Sequence, residues 1–249
     1  MLEFDKIIIY DYNSLNKVSD ILNENNLLSE NIIITRKNCY FEHDSYQQMI
    51  DTNKDLDWLC LFDTDEFLYI KEGTIKNFLE KYDDNVCTIL VNWVVFGSGG
   101  LKNYDIKKPI YEQFITRESY NHFWNVFPKS IIRPKLINNT DYISVHIVES
   151  KKYLTMNVYN KEPEHKYNDA CQCIDQNLSD DTPLVLFHYM TLDLESMLEK
   201  RNKYKSIGFN FDRYSLEWYY NYNNHPPQSF KDDIIDERMK LYYNKYFNS

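Results

Sequence analysis

The segment Asp57–Ile70 joins a buried-strand pattern to a cluster of acidic side chains. An apolar run ends in Asp63, Asp65 and Glu66, and the residues that follow are apolar again. Ionised carboxylates held against a core destabilise a fold unless a counter-charge compensates them, and a divalent cation with oxygen ligands is a common compensation. The segment therefore predicts a metal or catalytic site at the end of a strand. The alternative is a solvated acidic turn between two strands.

The length and charge of the chain limit its classes of partner. Its 249 residues, 43% of them hydrophobic, suffice for one large core, and no linker or internal repeat divides them. A net charge of -10 disfavours nucleic-acid binding. There is no run of about 18 apolar residues and no signal-peptide pattern, so we expect no stable membrane insertion and a cytoplasmic protein.

The five cysteines are odd in number, and two of them lie in apolar strand-like runs. We therefore expect reduced thiols rather than a disulfide framework. Cys171 and Cys173 lack a second cysteine pair that would complete a zinc site.

Strand and helix patterns alternate along the chain, which predicts an α/β sandwich with a mainly parallel central sheet. Residues 1–210 are expected to form this domain, and residues 211–249 a C-terminal helical extension. Ligands of open parallel sheets bind at the carboxyl ends of the strands. Asp11, Asp63, Asp65 and the turn Gly97–Gly100 all fall at such predicted ends, so we expect them to converge.

Two further motifs are candidates for ligand binding. The turn Gly97–Gly100 holds three of the five glycines of the chain, which suits either close approach of a ligand or a plain tight turn. His188 ends an apolar run and precedes a helix that carries Lys200 in a basic cluster suited to an anionic ligand. The alternatives are a core histidine and a solvated lysine face. His146 is a weaker candidate, and Trp93 could stack on a sugar ring.

Several of these candidates lie within five ordered stretches of sequence. The stretches are Asp5–Ser14, Gln47 or Gln48 with Trp58–Leu68, Trp93–Gly100, Lys129–Pro134 with His146, and His188-Tyr189 with Glu195 and Lys200. Together they resemble the metal-dependent GT-A glycosyltransferases, specifically the family 2-like and family 92-like (DUF23) group. The most specific block is Asp-x-Asp-Glu-Phe at Asp63–Phe67, and the ordered series is more specific than any one block.

The resemblance implies a nucleotide-diphosphate sugar donor, with a UDP-sugar favoured, and a glycan or protein acceptor. Asp65, helped by Asp63 and completed by His188, would bind Mn²⁺ or Mg²⁺. For the donor, Asp11 would face the nucleoside, Lys200 the phosphates, and Gly97 and Gly99 would approach it through their backbone. Glu118 would be the base if the reaction inverts the anomeric centre.

The chain also departs from the family pattern. The matching blocks begin at the second strand of the family, so a first strand and helix are expected to be absent. Leu192 and Asp193 stand where the family usually has lysine and serine, which removes one positive charge. These departures leave a non-catalytic glycosyltransferase-like binding module as an alternative. A metal-dependent phosphohydrolase is a further alternative, although Phe67 disfavours a phosphatase-type Asp-x-Asp-x-Thr loop.

Overall fold

A computed structural model describes residues 3–37, 45–165, 174–175, 177–190, 192–206 and 234–247. Within these ranges the helices are α1 (Val18–Glu24), α2 (Ser45–Thr52), α3 (Ile75–Leu79), α4 (Ile110–Gln113), α5 (Leu194–Ser206) and α6 (Arg238–Phe247), with 3₁₀ turns at Phe123–Val126 and Pro134–Leu136. The strands are β1 (Ile7–Tyr12), β2 (Ile32–Lys37), β3 (Leu59–Cys60), β4 (Glu66–Ile70), β5 (Val86–Val95), β6 (Thr116–Arg117), β7 (Pro128–Ile132), β8 (Tyr142–Ile143), β9 (Val148–Glu149), β10 (Leu154–Asn157), β11 (Glu164–His165), β12 (Ile174–Asp175), β13 (Leu184–His188) and β14 (Ile234–Ile235).

The central sheet has the strand order β3-β7-β5-β13-β4, and β10 also pairs with β5. All ten residues of β5 are buried, and its apolar side chains contribute to four core clusters. Ile89, Val91 and Trp93 pack in a first core, whereas Val94 and, directly after β5, Phe96 pack in a second core. This alternation follows the two-residue period of a strand. The sheet is therefore covered on both faces, and the predicted α/β class is confirmed.

The direction of the strands differs from the mainly parallel sheet that the sequence predicts. β3–β7, β5–β7 and β4–β13 are antiparallel, whereas β5–β13 and β5–β10 are parallel. A parallel return needs a long crossover, usually through a helix. Between β5 and β7 the chain holds the four-residue helix α4, the two-residue strand β6 and a 3₁₀ turn but no long crossover helix, and β7 returns antiparallel. The apolar content of a buried strand carries no information about its direction.

The described end of the chain packs on the body of the domain. β14 pairs antiparallel with β6, and Met239 of α6 is buried in the second core. Asp236 accepts hydrogen bonds from Arg117 Nε at 2.6 Å and from Arg238 Nη2 at 2.5 Å. The helix that the sequence predicts here is present at α6, while the predicted boundary at residue 210 lies outside the described residues.

β1 and β2 form a separate parallel pair. Side-chain hydrogen bonds connect this pair to the rest of the molecule. Lys76 Nζ donates to Asp5 at 2.8 Å, and Asn53 Nδ2 donates to the Tyr10 hydroxyl at 2.9 Å. The first contact ties the start of β1 to α3, and the second ties its end to the turn after α2.

Candidate active site

A cavity of about 1640 Å³ lies among β1, β3, α3 and the ends of several central strands. Its walls include Asp63, Asp65, Lys129, His188 and Lys200. Asp63, Asp65 and His188 are the predicted metal ligands, and Lys200 is the predicted phosphate ligand. His188 and Lys200 are far from the two aspartates in the sequence. The structure therefore brings Asp63, Asp65, His188 and Lys200 to the wall of one cavity, whereas Asp11 and the turn Gly97–Gly100, which were expected to converge with the two aspartates, do not line it.

The pairing of β4 with β13 explains how Asp65 meets His188. In this antiparallel pair His188 lies opposite Glu66, directly beside the acidic turn. Tyr189 N–H donates to the Asp65 carbonyl at 2.9 Å, which fixes the turn against the end of β13. As a result, His188 Nε2 lies 3.7 Å from Asp65 Oδ1.

Asp65 is a partly exposed carboxylate with two basic neighbours. Lys200 Nζ, on α5, lies 3.5 Å from Asp65 Oδ2. Burial alone would raise the pKa of Asp65, but the hydrogen bond with His188 and the charges of His188 and Lys200 lower it well below its usual value. Asp65 is therefore ionised at neutral pH, which is the state that binds a cation.

Asp63 and Glu66 surround a buried lysine. Lys129 Nζ lies 2.8 Å from Asp63 Oδ2 and 3.6 Å from Glu66 Oε1. Glu66 Oε2 accepts from the Asp63 N–H at 2.9 Å, so it also braces the turn. Burial raises the pKa of Glu66 to about 7, although the positive charge of Lys129 acts to lower it. Burial alone would lower the pKa of Lys129. The negative charges of Asp63 and Glu66 have the larger effect, so the pKa of Lys129 is raised.

The buried lysine is the site residue that sequence reasoning missed. Lys129 is the one charged residue in β7, and its side chain is only 2% exposed. A lysine within a fully buried strand needs a carboxylate partner. The acidic cluster Asp63 to Glu66, which follows a predicted buried strand, could have identified that partner.

Other predicted residues lie away from the cavity wall. Asp11 is 2% exposed and accepts hydrogen bonds from Ser14 N–H at 3.0 Å and Arg36 Nη1 at 2.6 Å. Burial raises its pKa, but these contacts lower it to about 2. Asp11 therefore joins β1 to β2 and to the turn before α1, and it is not among the residues that line the cavity.

The glycine turn also has a structural explanation. Gly97 N–H donates to the Thr116 carbonyl at 3.1 Å. Gly99 has φ of +57°, and a Cβ there would lie 2.8 Å from Thr116 Oγ1. Glycine is thus required by contact with β6. Neither glycine lines the cavity, and Glu118, which is buried, does not line it either.

The comparison with known families decides the class of the chain. The family model described as glycosyltransferase family 92 matches residues 3–232. The chain belongs to glycosyltransferase family 92. The family resemblance seen in the sequence is therefore confirmed, and no curated protein matches the chain.

One departure of this family 92 chain from the family pattern has a local explanation. Asp193, which stands where the family usually has serine, is 2% exposed. Its carboxylate accepts hydrogen bonds from Ser196 N–H at 3.0 Å and Tyr104 N–H at 3.1 Å. It therefore caps the start of α5, the helix that carries Lys200 to Asp65.

The family 92 chain offers few protein ligands for a metal. Within the described ranges, no group of three or more histidine, cysteine or acidic side chains is placed to hold one. Cys60 and Cys87 are free thiols, as predicted, and the other three cysteines lie outside those ranges. None of the helices in the described part of the chain is long and apolar enough to cross a membrane.

Proposed function

We propose that this chain is a metal-dependent glycosyltransferase with a GT-A-like site. It takes a sugar from a nucleotide-diphosphate donor, with a UDP-sugar favoured, and transfers it to a hydroxyl of a glycan or protein acceptor. Membership of family 92 supports the sugar transfer. The observation that carries the proposal is the meeting of Asp65, His188 and Lys200 on the wall of one large cavity.

The ligand set fits a cation that is shared with the donor. Mg²⁺ and similar ions at phosphate sites are commonly held by one or two protein groups, and the substrate phosphates complete the coordination. Asp65 and His188 would supply the two protein ligands. His188 Nε2 faces Asp65 Oδ1, and it would offer its lone pair to a shared cation as the neutral tautomer that carries the proton on Nδ1. The imidazole favours Mn²⁺ over Mg²⁺.

The charges around Asp65 suit a diphosphate leaving group. The bound cation would stabilise the negative charge that develops on the diphosphate as the glycosidic bond breaks. Lys200 reaches Asp65 from α5 with a side chain that is 36% exposed. It can therefore turn towards the phosphates when the cation takes its place beside Asp65. Asp63 contacts Lys129, so in this proposal it adds negative charge near the cation and does not bind the cation directly.

Transfer to the acceptor requires a general base if the reaction inverts the anomeric centre. A general base must lie within hydrogen-bond reach of the acceptor hydroxyl. Glu118, the base that the resemblance suggests for an inverting reaction, is 6% exposed and lies outside the cavity wall. It stays a prediction of the sequence alone.

Thermal unfolding with nucleotide sugars tests donor binding. Ligand that binds only the native state raises stability by about 2.7 kcal/mol at a concentration of about 100 Kd. We expect UDP-sugars to raise the unfolding temperature when Mn²⁺ is present and to have little effect with EDTA. GDP-sugars are the matched control for the identity of the nucleotide base. No shift with either nucleotide, with Mn²⁺ or Mg²⁺, would contradict the proposed donor site.

A further inference from the structure

His146 lies on the cavity wall but has no part in the proposed cation site. It belongs to the turn between β8 and β9, and it lines the cavity together with Val145. Within the described ranges no three histidine, cysteine or acidic side chains are placed to hold a metal, so His146 does not join Asp65 and His188 as a third protein ligand. Its imidazole can therefore serve a different contact.

Hydrogen bonds to two serines hold the backbone of His146 in place. The hydroxyl of Ser130, on the buried strand β7, donates to the His146 carbonyl at 3.2 Å. The His146 N–H donates to the Ser144 hydroxyl at 3.3 Å, and that hydroxyl also accepts from Ile147 N–H at 2.9 Å. A side chain on a turn fixed in this way is positioned before any ligand binds.

One nitrogen of the His146 ring is engaged by the protein itself. Nδ1 lies 3.3 Å from the Pro128 carbonyl oxygen, which can only accept a hydrogen bond, so Nδ1 carries the proton and Nε2 the lone pair. Burial and the charges of Lys129 and His188 lower the pKa of His146 to about 4, although the Pro128 carbonyl and Asp63 act to raise it. The ring is therefore neutral at neutral pH, and Nε2 is a hydrogen-bond acceptor.

The ring of Trp93 connects His146 to the proposed cation site. Its centroid lies 5.0 Å from that of His146 and 4.2 Å from that of His188. Phe127 also packs on His146, with a centroid distance of 5.2 Å. The two imidazoles thus lie against one indole on the same cavity wall. The lone pair of His146 belongs to the part of the cavity that a hydroxyl must enter to attack a cation-bound donor.

We propose that His146 Nε2 binds the attacking hydroxyl of the acceptor and takes up its proton. The proposal rests on the proposed sugar transfer. Near the proposed cation, Asp65 and His188 would be ligands and Asp63 contacts Lys129, which leaves His146 as the base among the described residues there. Unlike the buried Glu118, it meets the requirement that a base reach the hydroxyl.

The proton and electron pairs in this step are accounted for. The hydroxyl oxygen forms a bond to the anomeric carbon while the bond from that carbon to the diphosphate breaks, and the electron pair of the broken bond leaves with the diphosphate. The oxygen becomes positively charged as it bonds to carbon, so its proton is acidic enough for a base with a lowered pKa. The proton passes to His146 Nε2, and the hydrogen bond from Nδ1–H to the Pro128 carbonyl stabilises the imidazolium.

The nitrogen-15 chemical shifts of the histidine rings test the state of His146 directly. The signals of His146 are identified by their loss in His146→Asn. We expect a proton on Nδ1 and a lone pair on Nε2 throughout the range of about pH 6–8. A proton on Nε2 in this range would overturn the proposal, because Nε2 could not then accept from a hydroxyl.

Release of UDP from UDP-glucose, UDP-galactose and UDP-N-acetylglucosamine, with methyl glycosides of the same sugars as acceptors, measures the role of His146. His146→Asn keeps a donor for the Pro128 carbonyl but has no group in place of Nε2, and His146→Gln places there an amide that cannot take up a proton. We expect both variants to lower kcat by at least about a hundredfold. Their affinity for UDP with Mn²⁺ should stay within about twofold of that of the wild type.

His122→Asn is the matched control. His122 is a half-buried histidine that does not line the cavity, and asparagine keeps an oxygen that can accept from Trp124 N–H in place of His122 Nδ1. This variant should have the kcat and the UDP affinity of the wild type.

The wild type separates failure of this proposal from failure of the proposed function. If the wild type releases UDP and His146→Asn does so equally well, the role of His146 alone is wrong. An equal loss of UDP affinity and kcat would place His146 on the donor and would also overturn the proposal. A wild type that releases no UDP from any sugar nucleotide would contradict the proposed function, and the role of His146 with it.

Discussion

Replacing Asp65 with asparagine is expected to weaken Mn²⁺-dependent binding of a UDP-sugar by at least about a hundredfold. The change keeps the shape of the side chain but removes the charge that would bind the cation. Loss of a metal–ligand contact of this kind costs several kcal/mol, and each 1.4 kcal/mol corresponds to about a factor of ten. Isothermal titration with UDP-sugar in Mn²⁺ and in EDTA measures the effect. The fold should remain, since Asp65 is partly exposed.

Asp83→Asn is the matched control for this experiment. It removes the same charge at an exposed position that does not line the cavity. We expect its affinity for the donor to equal that of the wild type. If Asp65→Asn also binds donor with unchanged affinity and unchanged Mn²⁺ dependence, then Asp65 is not the metal ligand.

Replacing Lys129 with methionine is expected to destabilise the protein by about 3–5 kcal/mol, because it leaves the buried carboxylate of Glu66 without its counter-charge. For a domain of this size that corresponds to a decrease of about 6–20 °C in the unfolding temperature. Methionine retains most of the apolar stem, so the effect reports the charge. The side chain of Glu66 is fully buried beside Lys129. The deficit should shrink as pH falls, since protonated Glu66 needs no counter-charge.

A second substitution separates charge from packing. Adding Glu66→Gln to Lys129→Met removes the uncompensated charge, and we expect most of the lost stability to return. Lys135→Met is the control, since Lys135 is 51% exposed and its contact with Asp57 is 3.6 Å long. It should change stability by no more than about 0.5 kcal/mol. A Lys129→Met variant as stable as the wild type would refute the compensating role of Lys129.

The central part of the site could be predicted from the sequence because its residues interrupt strong local patterns. The acidic turn that holds Asp65 ends one apolar run and His188 ends another, and the two meet because the turn leads into β4, which pairs antiparallel with β13. Their meeting required only that β4 and β13 be neighbours. The class of fold followed from the same alternation of strands and helices.

The remainder depended on contacts that local sequence does not encode. Asp11, Gly97 and Gly99 carry signals that suit ligands and turns equally, and here Asp11 and Gly99 satisfy backbone or packing requirements. His146, the weaker ligand candidate of the sequence, lies in the turn between the two short strands β8 and β9, where the Ser144 hydroxyl accepts from Ile147 N–H at 2.9 Å. Lys129 was missed because its partners lie about sixty residues away in the chain.

Release of UDP from UDP-sugars in the presence of Mn²⁺ is the most direct test of the proposed function. The account predicts UDP release that requires Mn²⁺ or Mg²⁺, increases with an acceptor glycan or protein, and is lost in Asp65→Asn. Donor binding without UDP release, with any sugar nucleotide and either metal, would contradict it and favour a non-catalytic binding module. Release of phosphate from an aryl phosphate that sugar nucleotides do not inhibit would instead favour a phosphohydrolase.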